Sequence, residues 1–214
     1  MLLTCLKGQT RPPYEIIVAD GGSTDGTLAC ARDAGAQVLE GHAGRGAQLR
    51  AAASQASGSH LLFLHADSMP DGADFLERLR DLPAPATFRL HLVPTSPLRR
   101  WYDGMTHLPY RGFAFGDRGL FIDHPTYVAS GGYKAIPLFE DLDLIYRLPR
   151  LHFAHQVMRT SARRFDAVGT LKQQLRNTVL WIAYHLGVPP HRLARFYPAN
   201  DAAQSTKGSL PELE

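Results

Sequence analysis

Apolar segments with the period of a buried strand alternate with segments of helical period through the first 95 residues of the chain. The strand-like segments cover residues 14–19, 36–39 and 60–65, and helical periodicity covers residues 24–34 and 45–56. Alternation of this kind builds βαβ units, in which helices cover the faces of a sheet. We therefore predict an α/β fold with a mostly parallel central sheet flanked by helices and followed by a helical C-terminal segment.

The alternation continues after residue 65, and the pattern is less regular only after Pro94. It predicts a helix that begins at Pro70 and ends near residue 82, and an antiparallel or edge strand over residues 87–93. It also predicts a strand over residues 118–122, and helices over residues 2–6, 98–106, 125–130, 140–148 and 169–186.

The composition excludes several classes of protein. An apolar fraction of 44% with only 20% charged residues excludes a disordered chain. The longest apolar run, residues 179–184, is far shorter than the roughly 18 residues of a membrane-spanning helix, and the N-terminal segment is too short for a signal peptide. Cys5 and Cys30 lie in predicted helices, which argues against a disulfide framework or a cysteine zinc site. We expect a cytoplasmic protein.

Positive charge is concentrated near the C-terminus. Residues 159–197 hold seven Lys or Arg and one acid, a net charge of +6, whereas the whole chain has a net charge of +3. A basic segment favours an anionic ligand or surface, and the alternative is an ordinary solvated helix face. We divide the chain into a domain over residues 1–165, a basic helical segment over residues 166–198 that packs on or beside it, and a disordered tail over residues 199–214.

The basic segment also carries an apolar stripe at helical spacing, formed by Leu171, Leu175, Val179, Ile182 and Leu186. Lys172 and Arg176 lie on another face of the same predicted helix. Such a helix can pack on the domain, pair with a second copy in a homodimer, or lie on an anionic membrane surface at the inner face of the membrane. The basic residues lack interleaved aromatic residues that stack on bases, so we do not expect nucleic-acid binding.

A glycine-rich turn follows the first predicted strand. Asp20 lies at the tip of that strand, and Gly21 and Gly22 allow the backbone to approach a ligand closely. Ser23, Thr24 or Asp25 can cap the next helix, whose free N–H groups can face an anion. A tight turn with a capped helix explains the glycines and Ser23 equally well, but it does not explain the acid at the strand tip. We therefore interpret the turn as a ligand site.

Two further acidic motifs follow. Asp67 comes after an apolar strand, with His65 two residues before it on the same side of the chain, and such a pair can hold a divalent cation. Glu140 and Asp141 begin a predicted helix, where one acid can raise the pKa of its neighbour and make it a base. The simpler explanations are a polar residue that emerges from the core and acids favoured by the helix dipole.

In this order, the three motifs resemble those of the family 2 glycosyltransferases, which have the GT-A fold. EIIVADGGSTDGT is similar to their nucleotide-binding strand and turn, LLFLHAD to their aspartate-x-aspartate metal segment, and FEDLDLIYRL to their acidic base motif. The resemblance covers residues 2–165. Five segments are similar to the subgroup known as rSAM/selenodomain-associated transferase 2, or arsenosugar biosynthesis glycosyltransferase, namely GRGAQL, FLHAD, GDRGLFI, GGYKAIPLFEDLDL and TSARRF.

The resemblance implies a role for each motif. It places a nucleotide-sugar donor, preferably a UDP-sugar, against Asp20, Gly21, Ser23, Arg45 and Gln48. Within that set, Asp20 would lie at the base or ribose and Arg45 near the diphosphate. Asp67 would coordinate Mg²⁺ or Mn²⁺ that bridges the diphosphate. Asp141, with Glu140 beside it, would take the proton from a hydroxyl of an unidentified acceptor as that oxygen attacks the anomeric carbon, with inversion of configuration.

The chain departs from the family pattern in three places. Gly21 stands where many members have a second acid. His65 stands where the metal motif usually begins with Asp, and we interpret it as a hydrogen-bond partner of phosphate rather than a ligand, because Mg²⁺ prefers oxygen. The chain also begins inside the helix that follows the family's first strand, so we expect a late start and further residues upstream of Met1.

The resemblance predicts an inverting, metal-dependent glycosyltransferase, and two other functions stay open. A nucleotidyltransferase shares a βαβ core and metal-held phosphates, although we see no GxGxR-like loop after a first strand. A catalytically weak module that only binds nucleotide-sugars would agree with Gly21, His65 and the missing strand.

Overall fold

The computed structural model describes residues 1–41, 44–161 and 170–197. Within these ranges the strands are β1 (Ile17–Ala19), β2 (Gln37–Leu39), β3 (His60–Phe63), β4 (Ser68–Pro70), β5 (Ala86–Val93), β6 (Leu120–Asp123) and β7 (His152–Ser161). The predicted tail over residues 199–214, the domain boundary after residue 165, and the side chains of Leu171 and Lys172 lie outside the described part of the chain.

The described strands form two sheets. Strands β1 and β2 pair in parallel, with Val18 opposite Val38. The other strands form one sheet in the order β3-β6-β5-β7-β4. In that sheet β5 and β7 are parallel, whereas β3–β6, β6–β5 and β7–β4 are antiparallel. The prediction of a mostly parallel sheet is therefore wrong, because β6 runs back between β3 and β5 and makes the sheet mixed.

The described helices are α1 (Leu2–Lys7), α2 (Thr27–Asp33), α3 (Arg45–Gln55), α4 (Phe75–Arg78), α5 (Pro97–Thr106), α6 (His124–Ala129), α7 (Glu140–Arg147), α8 (Thr170–His185) and α9 (Pro190–Leu193). They agree with the predicted helices except in two respects: α9 was not predicted, and Pro70 ends β4 while α4 begins only at Phe75. Proline has no N–H to give to a sheet, and the edge position of β4 tolerates it.

Strand β5 is longer and more central than a predicted edge strand. It lies between β6 and β7, and Phe88, Leu90 and Leu92 on it are almost wholly buried. The sequence patterns predict neither β7 nor β4, which pair with each other at the far side of the sheet. A hydrogen bond of 2.7 Å between the hydroxyls of Ser68 and Thr160 joins these two strands.

The apolar core lies on both faces of the larger sheet. Ile122 of β6 packs with Leu144 of α7 in one buried cluster, whereas the next residue back, Phe121, packs with Phe88 and Met158 in another. Successive residues of a strand point to opposite faces, so β6 feeds both clusters. Helix α7, which carries the acidic motif, is thereby fixed to the sheet.

Helix α8 lies against the rest of the molecule with the face opposite its apolar stripe. Leu180 is buried, and Nε1 of Trp181 donates a hydrogen bond of 2.8 Å to the carbonyl oxygen of Gly112. The described residues of the stripe, Leu175, Val179, Ile182 and Leu186, are exposed. In the described part of the chain, no helix is long and apolar enough to span a membrane.

Candidate active site

Two glycines bring helix α3 close to the loop before α7. Gly44 has a φ of 85°, a left-handed conformation that favours glycine, and it leads directly into the helix. A Cβ atom at Gly46 would overlap the main-chain carbonyl of Lys134. The glycines of the GRGAQL segment therefore let the first turn of α3 approach that loop. This approach sets the position of Arg45.

Arg45 contacts both acids at the start of α7. Its Nη2 lies 2.9 Å from Oδ2 of Asp141, and its Nε lies 3.3 Å from Oε1 of Glu140. The side chains of Glu140 and Asp141 are only 7% and 11% exposed. Adjacent buried carboxylates repel each other, and the guanidinium offsets that repulsion. Three of the predicted site residues thus meet in one place.

A buried tyrosine holds the other side of Asp141. The hydroxyl of Tyr133 donates a hydrogen bond of 3.0 Å to Oδ1 of Asp141, so each carboxylate oxygen has a partner. Burial, and next the charge of Asp141, raise the pKa of Tyr133 well above its usual range, so the phenol stays protonated. Burial, and next the same charge, raise the pKa of Glu140, while Arg45 opposes this rise.

The residue before the acids has an unusual backbone conformation. Phe139 has a φ of 63°, the one positive φ recorded for a non-glycine residue in the described ranges. A bulky residue rarely adopts this left-handed conformation, which costs free energy that its surroundings must offset. The ring of Phe139 packs against Tyr184 of α8, with 4.7 Å between the ring centroids. Helix α8 therefore contacts the segment that leads into Glu140 and Asp141.

Asp117 is a further candidate site residue, to which the sequence assigned no role although it lies in the GDRGLFI segment. Its main-chain carbonyl accepts hydrogen bonds from the hydroxyls of Ser68 and Thr160, at 3.2 and 3.3 Å. Its Oδ1 is buried and has no hydrogen-bond partner among the described residues. Burial, and next the charge of Asp67, raise the pKa of Asp117 to about 6. The charges of the Asp67 and Asp117 carboxylates therefore influence each other.

The pair formed by Asp67 and Asp117 fits a divalent cation. A buried carboxylate oxygen without a donor, close to a second carboxylate, is the environment that Mg²⁺ and Mn²⁺ favour. Nδ1 of His65 lies 3.9 Å from Oδ1 of Asp67, too far for a hydrogen bond. Within the described residues, no three His, Cys, Asp or Glu side chains are arranged to hold a metal. Further ligands would have to come from phosphate or water.

The turn after β1 has mainly local contacts. Oδ2 of Asp20 accepts hydrogen bonds from the main-chain N–H groups of Gly22 and Ser23, at 2.7 and 2.8 Å, and the hydroxyl of Ser23 donates to Oδ1. Burial raises the pKa of Asp20, but these hydrogen bonds outweigh it and hold the pKa below its usual range. Asp20 thus stabilises its own turn, which supplies the explanation for this acid that the sequence lacked. Gly21 is exposed, and Gln48 is half-buried on the first turn of α3.

Comparison with known protein families decides which group the chain belongs to. The model of Glycosyl transferase family 2 matches residues 2–123, more than half of the chain. The chain belongs to glycosyl transferase family 2. The family resemblance drawn from the three motifs is confirmed, and the narrower subgroup stays a prediction. No curated protein matches this transferase in sequence.

Solved structures with the same fold as this transferase are glycosyltransferases of the GT-A class. A mannosyltransferase from Pyrobaculum calidifontis, in complex with GDP-Man and Mn²⁺, is 18% identical, with a TM-score of 0.63 over 98% of this chain and 72% of its own. Glucosyl-3-phosphoglycerate synthase from Mycobacterium tuberculosis, in complex with Mn²⁺, UDP and glucosyl-3-phosphoglycerate, is 15% identical, with a TM-score of 0.53 over 88% of this chain and 76% of its own. At such identities the likeness shows the fold, and the predicted GT-A fold is confirmed.

Gly116 lies among the side chains of Arg45, Asp141 and His65 in the candidate site. A Cβ atom there would overlap Nη2 of Arg45 and Oδ2 of Asp141, and it would approach Nε2 of His65. Like its neighbour Asp117, this glycine lies in a short 3₁₀ turn and carries no periodic signal. The sequence clue to both residues is the GDRGLFI segment, which begins with them.

We expect the Gly116→Ala variant to lower the rate of donor turnover by about 100-fold, since a displacement of about 1 Å at the reacting groups has an effect of that size. Gly104→Ala is the matched control, because a Cβ atom at Gly104 meets no atom within 4 Å. The measurement is the initial rate at which nucleoside diphosphate is released from a nucleotide-sugar. A Gly116→Ala variant as fast as the control would show that the packing around Asp141 does not matter for turnover.

Proposed function

We propose that this family 2 transferase moves a sugar from a nucleotide-diphosphate donor to a hydroxyl acceptor with inversion of configuration. The observation that carries the proposal is a nearly buried carboxylate, Asp141, held between Arg45 and Tyr133. These three side chains line one small cavity together with His65 and Gly116. A carboxylate oriented from both sides and facing a cavity is suited to accept a proton from a bound hydroxyl.

In the proposed reaction, Asp141 takes the proton of the acceptor hydroxyl while the acceptor oxygen attacks the anomeric carbon. The new carbon–oxygen bond forms on one face of the sugar as the bond to the nucleoside diphosphate breaks on the other, so the configuration inverts. Tyr133 holds the carboxylate in place through its hydrogen bond. Glu140 stays beside Asp141 as a second acid, whose pKa is raised by burial and by the charge of Asp141.

Arg45 would contact the base, Asp141, before the donor binds and the diphosphate of the donor afterwards. In the structure its guanidinium neutralises Asp141 and contacts Glu140. A carboxylate in such an ion pair is a weaker base than a free one. The diphosphate of a bound donor is a competing anion, and arginine binds phosphate through several N–H groups at once. We propose that donor binding draws Arg45 toward the diphosphate and leaves Asp141 able to accept a proton.

Asp67 and Asp117 would hold Mg²⁺ or Mn²⁺ at the same site. The fit rests on the buried, unpartnered Oδ1 of Asp117 and on the charge of Asp67 beside it. A bound cation would offset the negative charge that develops on the departing diphosphate. His65, at 3.9 Å from Asp67, would contact phosphate rather than metal. The turn of Asp20, Gly21 and Ser23, with Gln48 on α3, would contact the nucleotide.

The donor is best identified by a thermal-shift panel of UDP-sugars and GDP-sugars with Mn²⁺, because the solved neighbours contain both nucleotides. We propose a UDP-sugar as the natural donor. Release of nucleoside diphosphate supports a glycosyltransferase, whereas pyrophosphate formed from a nucleoside triphosphate and a sugar phosphate would indicate a nucleotidyltransferase. Binding without turnover would indicate a binding module.

The Arg45→Met variant should bind the donor about 10–100-fold more weakly, because a hydrogen bond to a charged group contributes roughly 1.5–3 kcal/mol. Arg50→Met is the matched control, since Arg50 is exposed on the same helix. Isothermal titration with the best donor and Mn²⁺ measures both dissociation constants. Equal values for the two variants would place the diphosphate elsewhere.

A further inference from the structure

The outer face of α8 is an exposed apolar row. Leu175, Val179, Ile182 and Leu186 are 64%, 55%, 46% and 80% exposed. Their spacing of four, three and four residues puts them on one side of the helix. Scattered exposed apolar residues are ordinary, but a continuous row indicates an interaction surface. We call these four residues the outer row.

The contacts of the inner face fix this orientation. Leu180 is only 5% exposed, Trp181 donates a hydrogen bond to Gly112, and Tyr184 packs on Phe139. The hydroxyl of Tyr146 on α7 and Nε2 of His185 are also 2.6 Å apart. A rotation that buried the outer row would break all of these contacts. The row therefore faces away from the domain in the folded protein.

The surroundings of the outer row are positively charged. Residues 170–197 contain four Lys or Arg and no acid. The guanidinium of Arg176 lies over the ring of Tyr197, 5.1 Å from its centroid, and this contact brings the end of the described chain back beside α8. Arg192 and Arg195 are exposed on this segment, and so is Phe196, at 71%. The segment that carries the outer row thus also carries exposed cations and a further exposed aromatic ring.

We infer that the outer row and its neighbouring arginines dock on an anionic phospholipid surface, with α8 lying in the plane of the membrane. An apolar row buried among acyl chains and cations placed at the phosphate level is the arrangement of an interfacial helix. The charge argues against a second copy of the chain, because two outer rows in contact would bring together two segments that each hold four Lys or Arg and no acid. With 16 residues, α8 is also too short to cross a bilayer.

The test is sedimentation with vesicles of phosphatidylglycerol and phosphatidylcholine, compared with phosphatidylcholine alone, using the full chain. We expect the wild-type protein to sediment with the anionic vesicles at low salt. The Leu175→Gln/Ile182→Gln variant should partition at least about tenfold more weakly. The Arg192→Gln/Arg195→Gln variant should lose about 25-fold on anionic vesicles, because each arginine contributes about fivefold.

Val128→Gln is the matched control, since Val128 is 64% exposed on α6, away from the outer row. It should bind vesicles as the wild type does. Val179→Gln serves as a milder variant if the double substitution lowers the melting temperature. Unchanged binding of the outer-row variants, or no binding of the wild type at low salt, would overturn the inference. A wild-type dimer that these substitutions convert to a monomer would also overturn it, because a second copy would then cover the row.

Discussion

Replacing Asp141 with asparagine should lower kcat by about 10²–10⁴-fold, which is the usual contribution of a general base. The amide has the same shape, and its oxygen can still accept the hydrogen bond from Tyr133. It cannot take a proton, so the attacking hydroxyl stays a weak nucleophile. The measurement is the initial rate of nucleoside diphosphate release, with water as acceptor, from the donor that gives the largest thermal shift.

Asp143→Asn is the control for this substitution because Asp143 lies on the same helix. Its carboxylate pairs with Arg147 at 2.7 Å and with Lys134 at 3.0 Å, so it has partners of its own. Loss of these pairs should lower the stability of α7 slightly while kcat stays near the wild-type value. If both variants lost activity equally, helix stability rather than proton transfer would explain the effect. A fully active Asp141→Asn variant would remove Asp141 from the mechanism.

The Arg118→Met variant should lower the free energy of unfolding by about 3–5 kcal/mol. Arg118 is 1% exposed, and it donates hydrogen bonds of 2.6 Å to the carbonyl of Phe88 and 3.1 Å to that of Phe113. Methionine fills much of the volume but leaves both buried carbonyls without a donor. Burial lowers the pKa of Arg118 to about 10, which still leaves it charged at neutral pH. Urea unfolding followed by circular dichroism measures the difference.

The exposed Arg78 provides the comparison. It pairs with Asp74 one turn earlier in α4, and its side chain is 62% exposed. An exposed pair of this kind contributes about 0.5 kcal/mol, so Arg78→Met should have little effect. If Arg118→Met were as stable as Arg78→Met, water would have to satisfy the carbonyls of Phe88 and Phe113. In that case Arg118 would not hold β5 to the 3₁₀ turn of Asp117.

The fold could be predicted from the sequence where the hydrophobic pattern of an element depends on that element alone. Apolar runs revealed β3, and helical spacing revealed α3 and α7 to within a residue or two. The direction of a strand within a sheet leaves no such trace, so β6 was predicted as a strand while its antiparallel direction was missed. Strand β7 was also missed, because its buried residues, among them Ala154, Met158 and Thr160, do not alternate regularly with exposed ones. Its bulged pairing with β5 explains that irregularity.

The candidate site likewise could be predicted only where a local sequence pattern marks a residue. Acids at the ends of elements, such as Asp67 and Asp141, could be proposed as site residues because the ends of elements are where ligands bind in α/β folds. The contact between Arg45 and Asp141 joins residues 96 positions apart, and no local pattern contains it. Asp117 was missed for the same reason, since its importance comes from burial beside Asp67. Asp20 is the opposite case, because hydrogen bonds within its own turn are enough to explain an acid at the tip of β1.

The left-handed backbone at Phe139 links helix α8 to the acid pair of Glu140 and Asp141. The ring contact with Tyr184 is one of the interactions that offset the strain at Phe139. When α8 opens, that compensation is lost, and the residue directly before Glu140 is free to relax. Loss of the contact between Tyr184 and Phe139 would therefore destabilise the segment that leads into the first turn of α7.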